Sequence, residues 1–473
     1  MHFYQSKYKK PYTSVPEQVR ILQDHGLEIE DIKAAEKFLR ACGYYRFSGY
    51  AHFFKEFPDK RRFRNGTNFS DVKRLYTFDE ELKQTLLEGL AEIEVSLRFH
   101  IGHRLGRHHP FAHRIGGLMS PDAGSWRVSS DGVKTSTHRE WLDKCDAQES
   151  ISGDSFVRHF RSKYRSHLPV WAATEIISFG TLCKLYYMLE DNDAKLIAAR
   201  FGLINRNGEG DTNKFSSWIN HLRYLRNVCA HRGRAWNRTF DATLSTPSSS
   251  IPELMHWSSE THASLYESLC AMKFLLARIA PESDWSTKVT SQIVQFSRSS
   301  GIDLKHMGFP EQWHTNDIWS LTYEADLHLG DVIDAIDDIS CSNKPDTLRK
   351  LYSRNKESER KKWLNYLGTH NALYFHQVGP QKYYPDFQFR NGDIRSEVAD
   401  VNELLIHSFQ KRFRPARNAS SVDHSQISLA VQSWWLSPST HYGFLSTPLI
   451  QLENDPASVF RAAKQWTTTD LSK

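Results

Sequence analysis

The chain has little cysteine: six residues in 473, none of them in a CxxC pair. Cys42, Cys145, Cys183, Cys229, Cys270 and Cys341 are scattered singly, which argues against a disulfide framework or a zinc knuckle and fits a reducing cytoplasm. No run of about 18 apolar residues occurs, so no membrane span is expected. The amino-terminal MHFYQSKYKKPYTS lacks the apolar core of a signal peptide, and the expected location is cytoplasmic. No internal repeat is visible, and no cofactor is expected. Neither charge sign dominates: 61 Lys and Arg face 55 Asp and Glu, for a formal charge of +6. That balance permits a nucleic-acid partner without demanding one.

What is present is ample material for packed cores, with 39% hydrophobic and 12% aromatic residues. The length fits two or three domains. Helical periodicity runs from residue 16 to about 105. Within it Phe78, Leu82, Leu86, Leu90, Ile93, Leu97 and Ile101 recur every three or four residues and predict a long amphipathic helix over 78–106. Residues 116–138 are rich in Gly and Ser and read as an exposed excursion. Helices resume at 154–165, then after Pro169 with Gly180 as the expected kink or close-packing point, then at 214–232 and 263–280. The texture changes near residue 320, giving a helical bundle over 1–320 and a smaller α+β, mostly helical domain over 321–473. In the latter, residues 372–389 alternate around Gly379-Pro380 and predict a hairpin, with helices at 396–413 and 425–436.

The stretch LRYLRNVCAHRGRAWNR, residues 222–238, crowds five arginines around one histidine. On a helical wheel Trp218, Leu222, Leu225 and Cys229 form a core-facing stripe. Arg223, Asn227 and His231 line the opposite face, Arg226 lies on the flank, and Gly233 is the expected stop. Such a row suits cleavage of an RNA phosphodiester without a metal. A neutral imidazole takes or gives a proton, and a fork-shaped guanidinium stabilises the developing phosphorane charge. Asn227, one turn before His231, is placed to hold the imidazole or a phosphate oxygen. No carboxylate occurs from 214 to 238, which argues against a Mg²⁺ site there. The residues alone leave three readings open: a solvated helix end, an anion-binding surface, or a catalytic centre.

Two other clusters attract competing readings. YYRFSGY (44–50) offers aromatics for base stacking or, more simply, a packed core with one buried arginine. His100, His103, His108, His109 and His113 imitate a metal cluster but lack Cys or Asp partners, so a hydrophilic surface is expected and no metal.

RNVCAHRGRAWNR (226–238) resembles the RN-x-x-AH…R-x-WNR signature of the Abi-like abortive-infection proteins, the AbiD/AbiF group of the HEPN superfamily of helical ribonucleases. Residues 10–54, with YYRFSGY, residues 75–98, with FDEEL and the IEVSLR helix, residues 168–189, with SFGTLCKLYYML, and MGFPEQWHTNDIW (307–319) resemble further family segments in family order. The resemblance implies a homodimer in which two Arg-x4-6-His motifs meet in one composite site, and a metal-independent endoribonuclease acting as toxin or phage-defence effector. It makes His231 the general acid/base, Arg226 the phosphate and transition-state binder, and Asn227 an orienting residue. Arg223, Arg232, Arg234 and Arg238 become RNA-binding residues. Arg232 stands where many relatives carry a second histidine, so a second imidazole must come from the partner chain. Glu92, Glu94 and Arg98 are candidates to approach the site from a neighbouring helix. A noncoding RNA and a protein antitoxin are further partners in view, and RNA binding without cleavage and a protein-interaction regulator are the rival functions.

In the last 150 or so residues, Tyr384, Pro385, Phe387, Gln388, Phe389 and Gly392, then Trp435, Pro438, Gly443, Pro448, Leu452, Asp455, Pro456, Val459 and Ala462, resemble the carboxy-terminal half of Xre/ParS/MbcA-type antitoxins. That resemblance implies a module that restrains or targets the ribonuclease.

Overall fold

A computed structural model of the chain describes residues 11–57, 61–128, 132–246, 251–257, 261–320, 327–339, 341–342, 364, 368–390, 393–412, 424–437 and 446–469. The fold is mainly helical. Three short helices, α1 (Val15–Asp24), α2 (Ile32–Cys42) and α3 (Tyr44–Ala51), lead into α4 (Phe69–His108), which runs through the centre of the amino-terminal bundle. The helix begins nine residues before the periodicity suggests because Asn68 and Asp71 form a capping box: the Asn68 side chain accepts from the Asp71 N–H at 3.0 Å and Asp71 returns the contact at 3.1 Å. All seven apolar residues of the expected stripe are buried.

A four-residue helix, α5 (Pro121–Gly124), and the antiparallel pair β1 (Arg127–Val128) and β2 (Lys134–Thr135) fill the Gly/Ser-rich excursion. Next come α6 (Thr137–Ile151), α7 (Ser155–Tyr164), α8 (Val170–Ile176) and α9 (Phe179–Tyr187). The break between the last two falls at Ser178 and not at Gly180, because the Ser178 hydroxyl accepts from the Thr181 N–H at 3.2 Å and starts a new helix. The bundle closes with α10 (Asp191–Arg200), α11 (Thr212–Ala230), α12 (Leu265–Ile279) and α13 (Trp285–Ser300), a short pair β3 (Leu244–Ser245) and β4 (Thr261–His262), and α14 (Asp317–Ser320). One continuous apolar core joins these elements, from Val19 to Ile318.

The expected histidine surface forms only in part: His108 and His109 are exposed, and the rest of the run is not. His100 and His113 are buried, and burial holds their pKa values down at about 4 and about 3. His108 Nε2 lies 2.7 Å from an Asp193 oxygen, and His103 Nε2 lies 3.3 Å from the Asp337 carbonyl.

Beyond residue 320, α15 (Leu327–Asp338) packs on α10, and β5 (Cys341–Ser342) joins the hairpin of β6 (His376–Val378) and β7 (Gln381–Pro385). The second pair is β8 (Phe389–Arg390) and β9 (Asp393–Ile394). The helices α16 (Ser396–Arg412), α17 (His424–Leu436), α18 (Pro448–Gln451) and α19 (Pro456–Thr469) build a second core around Val401, Leu405, Val431, Trp435 and Val459. Gln388 is fully buried there, exchanging hydrogen bonds with the Tyr374 backbone at 3.0 and 3.1 Å and accepting from Asn402 at 2.9 Å. Gly392, Pro438 and Gly443 of the antitoxin-like pattern lie outside the described residues.

A third apolar cluster joins the two parts: Leu196 and Ala199 of α10 meet Val332, Ile333 and Ile336 of α15 with Val378 and Tyr383 of the hairpin. Two glycines with positive φ, Gly208 and Gly379, touch backbone to backbone across this seam, where a Cβ on Gly379 would come within 2.6 Å of Gly208.

Candidate functional site

The stretch of five arginines occupies the second half of α11 and the turn after it. The helix starts at Asp211, whose carboxylate accepts from the Lys214 N–H at 3.0 Å, and ends at Ala230. Trp218, Leu222, Leu225 and Cys229 are buried as the wheel requires, each large side chain contributing about 1.5–3 kcal/mol. Arg223, Arg226 and Asn227 are half-buried on the outer side, and His231 is exposed.

The helix stops by a different device from the one expected. His231 is the cap, and Arg232 takes the left-handed conformation at φ 53°. The Gly233 N–H then donates to the Val228 carbonyl at 2.7 Å and the Arg232 N–H to Cys229 at 3.0 Å. Gly233 is needed for close approach instead: a Cβ there would stand 3.2 Å from the Val228 oxygen. A left-handed arginine costs about 1 kcal/mol. It is held by Arg46, whose Nη1 donates to the Arg232 carbonyl at 2.6 Å. The arginine of YYRFSGY is therefore partly exposed and braces this turn rather than lying in the core.

Further supports come from α4. Asp79 is fully buried and accepts from the Trp236 N–H at 2.7 Å, the Ala235 N–H at 3.2 Å and the Tyr50 hydroxyl at 2.6 Å, with Lys83 at 3.3 Å. Burial pushes its carboxyl above the usual range while Lys83 and the three donors pull it down. The Trp236 ring is buried edge-on to Phe53, centroids 4.9 Å apart. Asp79 was not singled out from sequence and Arg46 was read only as a buried arginine; both sit inside segments, FDEEL and YYRFSGY, that the family resemblance had marked.

The absence of carboxylates from 214–238 does not survive folding. Glu80 places its oxygens 3.7 Å from Arg232 and 4.0 Å from Arg46, and Glu94 stands 4.0 Å from Arg226 while also pairing with Arg98. Glu94 thus does approach from the neighbouring helix, while Arg98 is held by Glu94 and the Thr174 carbonyl. Glu92 does not: it accepts from Ser283 at 3.1 Å.

The other arginines divide. Arg223 crosses Gly180 and donates to Asn220 at 2.9 Å. Arg234 turns to the Gly49 carbonyl at 2.6 Å, and Arg238 donates to the Tyr224 hydroxyl at 2.8 Å, so these two hold the turn in place. Asn227 contacts His231 through the backbone, its carbonyl accepting the His231 N–H at 2.9 Å, and not through its amide. Among the described residues, neither the Asn227 amide nor the His231 imidazole has a hydrogen-bond or ion-pair partner. The site is an unengaged imidazole that caps a helix bearing Arg223 and Arg226 and is followed by Arg232, with Arg226 and Arg232 partly neutralised by Glu94 and Glu80.

Elsewhere, Asp146, Glu149 and His167 come together at metal-like spacing, but Arg114 donates to both oxygens of Asp146, at 2.7 and 3.1 Å.

Residues 37–237 match the model of the family of Abi-like proteins. The matched segment is similar to Abi-like proteins and spans less than half of the chain. The match starts inside the first resembling segment and ends at Asn237, so it contains the braces from α3 and α4 together with the whole His231 turn. No curated protein and no solved structure matches the chain. Among the described residues no helix of the Abi-like segment or the rest is long and apolar enough to cross a membrane.

Proposed function

We propose that the protein is a metal-independent endoribonuclease of abortive infection, with His231 as the acid/base and Arg226 and Arg232 as the phosphate clamp. The observation that carries this reading is the exposed His231 imidazole at the end of the helix that carries Arg223 and Arg226, without a hydrogen-bond or ion-pair partner among the described residues. A surface that merely holds RNA needs the cations and has no use for the imidazole. The neutral ring accepts the proton of a 2′-hydroxyl as its oxygen attacks the adjacent phosphorus, and the 5′-oxygen departs. Arg226 and Arg232 leave Glu94 and Glu80, both near the 4 Å limit of an ion pair, and turn to the phosphorane.

With one imidazole per motif, the proton for the leaving oxygen comes from the partner's copy of the ring in a homodimer. Support for the dimer lies on α4, where Val95 and Phe99, 63% and 58% exposed, follow Glu94 and adjoin the half-exposed Trp171. Exposed apolar groups so close together favour a protein contact. The elements beyond residue 320 act as a docked module that restrains or targets this activity, as their seam with α10 and α4 supports.

The test is incubation of the full-length protein with RNA in EDTA, wild type beside His231→Ala. Expected is cleavage by the wild type that survives chelation and falls by about 10²–10⁴-fold in the variant. RNA binding without cleavage by either protein replaces the enzyme with a binding protein, and a monomer under cleaving conditions removes the shared site.

A further inference from the structure

The motif YYRFSGY divides its residues between separate tasks on α3. Phe47 and Tyr50 are buried, Phe47 stacked on Phe69 with centroids 4.8 Å apart and Tyr50 donating its hydroxyl to Asp79 at 2.6 Å. Arg46 braces the turn after His231 through the Arg232 carbonyl at 2.6 Å. Tyr45 does neither: it is 92% exposed, and its ring and hydroxyl have no partner among the described residues. An isolated exposed aromatic is ordinary, so its surroundings decide what it can do.

Gly49 stands one turn further along α3, four residues after Tyr45 and on the same face. Glycine inside a helix costs stability relative to alanine, and here the fold asks for none. Its φ is not positive, and a Cβ placed on it would meet nothing within 4 Å. Helical side chains lean toward the amino terminus, so a side chain at 49 would lie over the turn that carries Tyr45. Its absence leaves the flank of the Tyr45 ring bare, as close approach of a ligand requires.

Cations border this bare step. Arg234 donates to the Gly49 carbonyl itself at 2.6 Å, Arg46 follows Tyr45 directly, and Arg46 reaches Arg232. The carboxylate beside them, Glu80, is held by Lys83 at 2.7 Å, nearer than Arg232 at 3.7 Å or Arg46 at 4.0 Å. A protein contact calls for a wider apolar patch, whereas Tyr45 is the one strongly exposed aromatic among the described residues of α3. An open ring edged by guanidiniums has instead the chemistry of a nucleobase platform.

We infer that Tyr45 is a base-stacking residue for single-stranded RNA: a nucleobase lies on its ring with its edge over Gly49, next to the phosphate held at Arg232. The inference rests on the ribonuclease reading and adds to it where a base of the substrate sits. Stacking tolerates any base, because every base has a π-face.

Binding of a fluorescent oligoadenylate RNA to the full-length His231→Ala protein, followed by anisotropy over a series of KCl concentrations, tests this. Adding Tyr45→Ala should raise Kd roughly tenfold, and Tyr45→Phe should keep the parent value. Neither should alter the salt slope, since no phosphate contact is lost. An abasic ribose-phosphate oligomer of the same length should bind the Tyr45→Ala and parent proteins equally. Gly49→Ala should raise Kd for oligoadenylate with the denaturant midpoint unchanged or higher, a pairing that loss of structure does not produce. Unchanged oligoadenylate binding in Tyr45→Ala overturns the platform while the enzyme stands. An equal loss with the abasic oligomer, or a changed oligomeric state, overturns stacking and makes Tyr45 a scaffold or protein contact. Tyr45-dependent binding with no cleavage by the wild type keeps the platform and overturns the enzyme. No RNA binding by the His231→Ala protein overturns both.

Discussion

Two arginine clusters in this molecule have opposite fates. At the seam between the Abi-like segment and the elements beyond residue 320, Arg104 is buried and pairs with Asp193 at 2.9 Å and Asp337 at 2.6 Å. Arg107 shares Asp337 at 3.3 Å and donates to the Ile336 and Ile339 carbonyls, and Arg200 pairs with Asp334 at 3.0 Å. At the end of α11, Arg223, Arg226 and Arg232 reach no carboxylate closer than 3.7 Å, and their heads meet solvent. Arginine density therefore does not mark a nucleic-acid site. What distinguishes the two clusters is guanidinium left over after the fold has taken what it needs. The seam arginines are fasteners, and the α11 arginines are available to a ligand.

Exchange of Arg104 probes that contrast most strongly. Arg104→Ala leaves Asp193 and Asp337 buried with less compensation and should lower stability by about 3–5 kcal/mol, read from the denaturant midpoint. Arg226→Ala should cost under about 1 kcal/mol, because its one ion pair is long and part-exposed, and should instead weaken RNA binding or cleavage. If the two variants behave alike in both assays, the division is wrong.

Asp79→Ala stands between the two regions, since it acts on the active turn through burial. Removing an acceptor used by three donors should cost about 2–4 kcal/mol and lower activity through the loosened turn, measurable as faster amide exchange at Ala235 and Trp236.

Lowering the pH probes the buried imidazoles. His100, His221 and His376 are held at about 4 and His113 at about 3 by burial, against an ordinary value near 6.5. Their folded pKa values are depressed, so between about pH 6.5 and 4 the unfolded chain binds the extra protons. Stability is then fully present above pH 6.5 and falls below it, by about 1 kcal/mol per pH unit for each such histidine. Urea melts run across the range read this slope, and stability that does not fall between about pH 6.5 and 4 would count against the burial of these imidazoles.

The smallest effect is expected at Arg232→Gly. Relief of the left-handed arginine gains about 1 kcal/mol, offset by at most a few tenths from the 3.7 Å pair with Glu80, so the variant should be slightly more stable and less active.

Much of this was legible in the chain. The stripe of Trp218, Leu222, Leu225 and Cys229 and the seven apolar residues of α4 follow from helical period alone, because burial of one face is a local, repeating requirement. The hairpin around Gly379 and Pro380 was readable for the same reason, its period being two. Helix ends were less so. Arg232 replaces Gly233 in the left-handed position because Arg46, remote in sequence, pays no attention to local propensity and fixes the carbonyl from outside. His100 and His113 look like surface residues in composition, and the packing of other helices over them makes them core.

The sequence by itself determined that the protein is built of amphipathic helices and that one of them carries Arg226, Asn227 and His231 on its outward side, since covalent order and the 3.6-residue repeat settle both. Only the tertiary structure decided which charges remain free. Glu80 and Glu94 arrive from another helix, Arg234 and Arg238 are drawn into bracing the turn, and Arg104 and Arg107 are consumed at the seam. Charge pairing depends on distance in space and on burial, and neither is written along the chain.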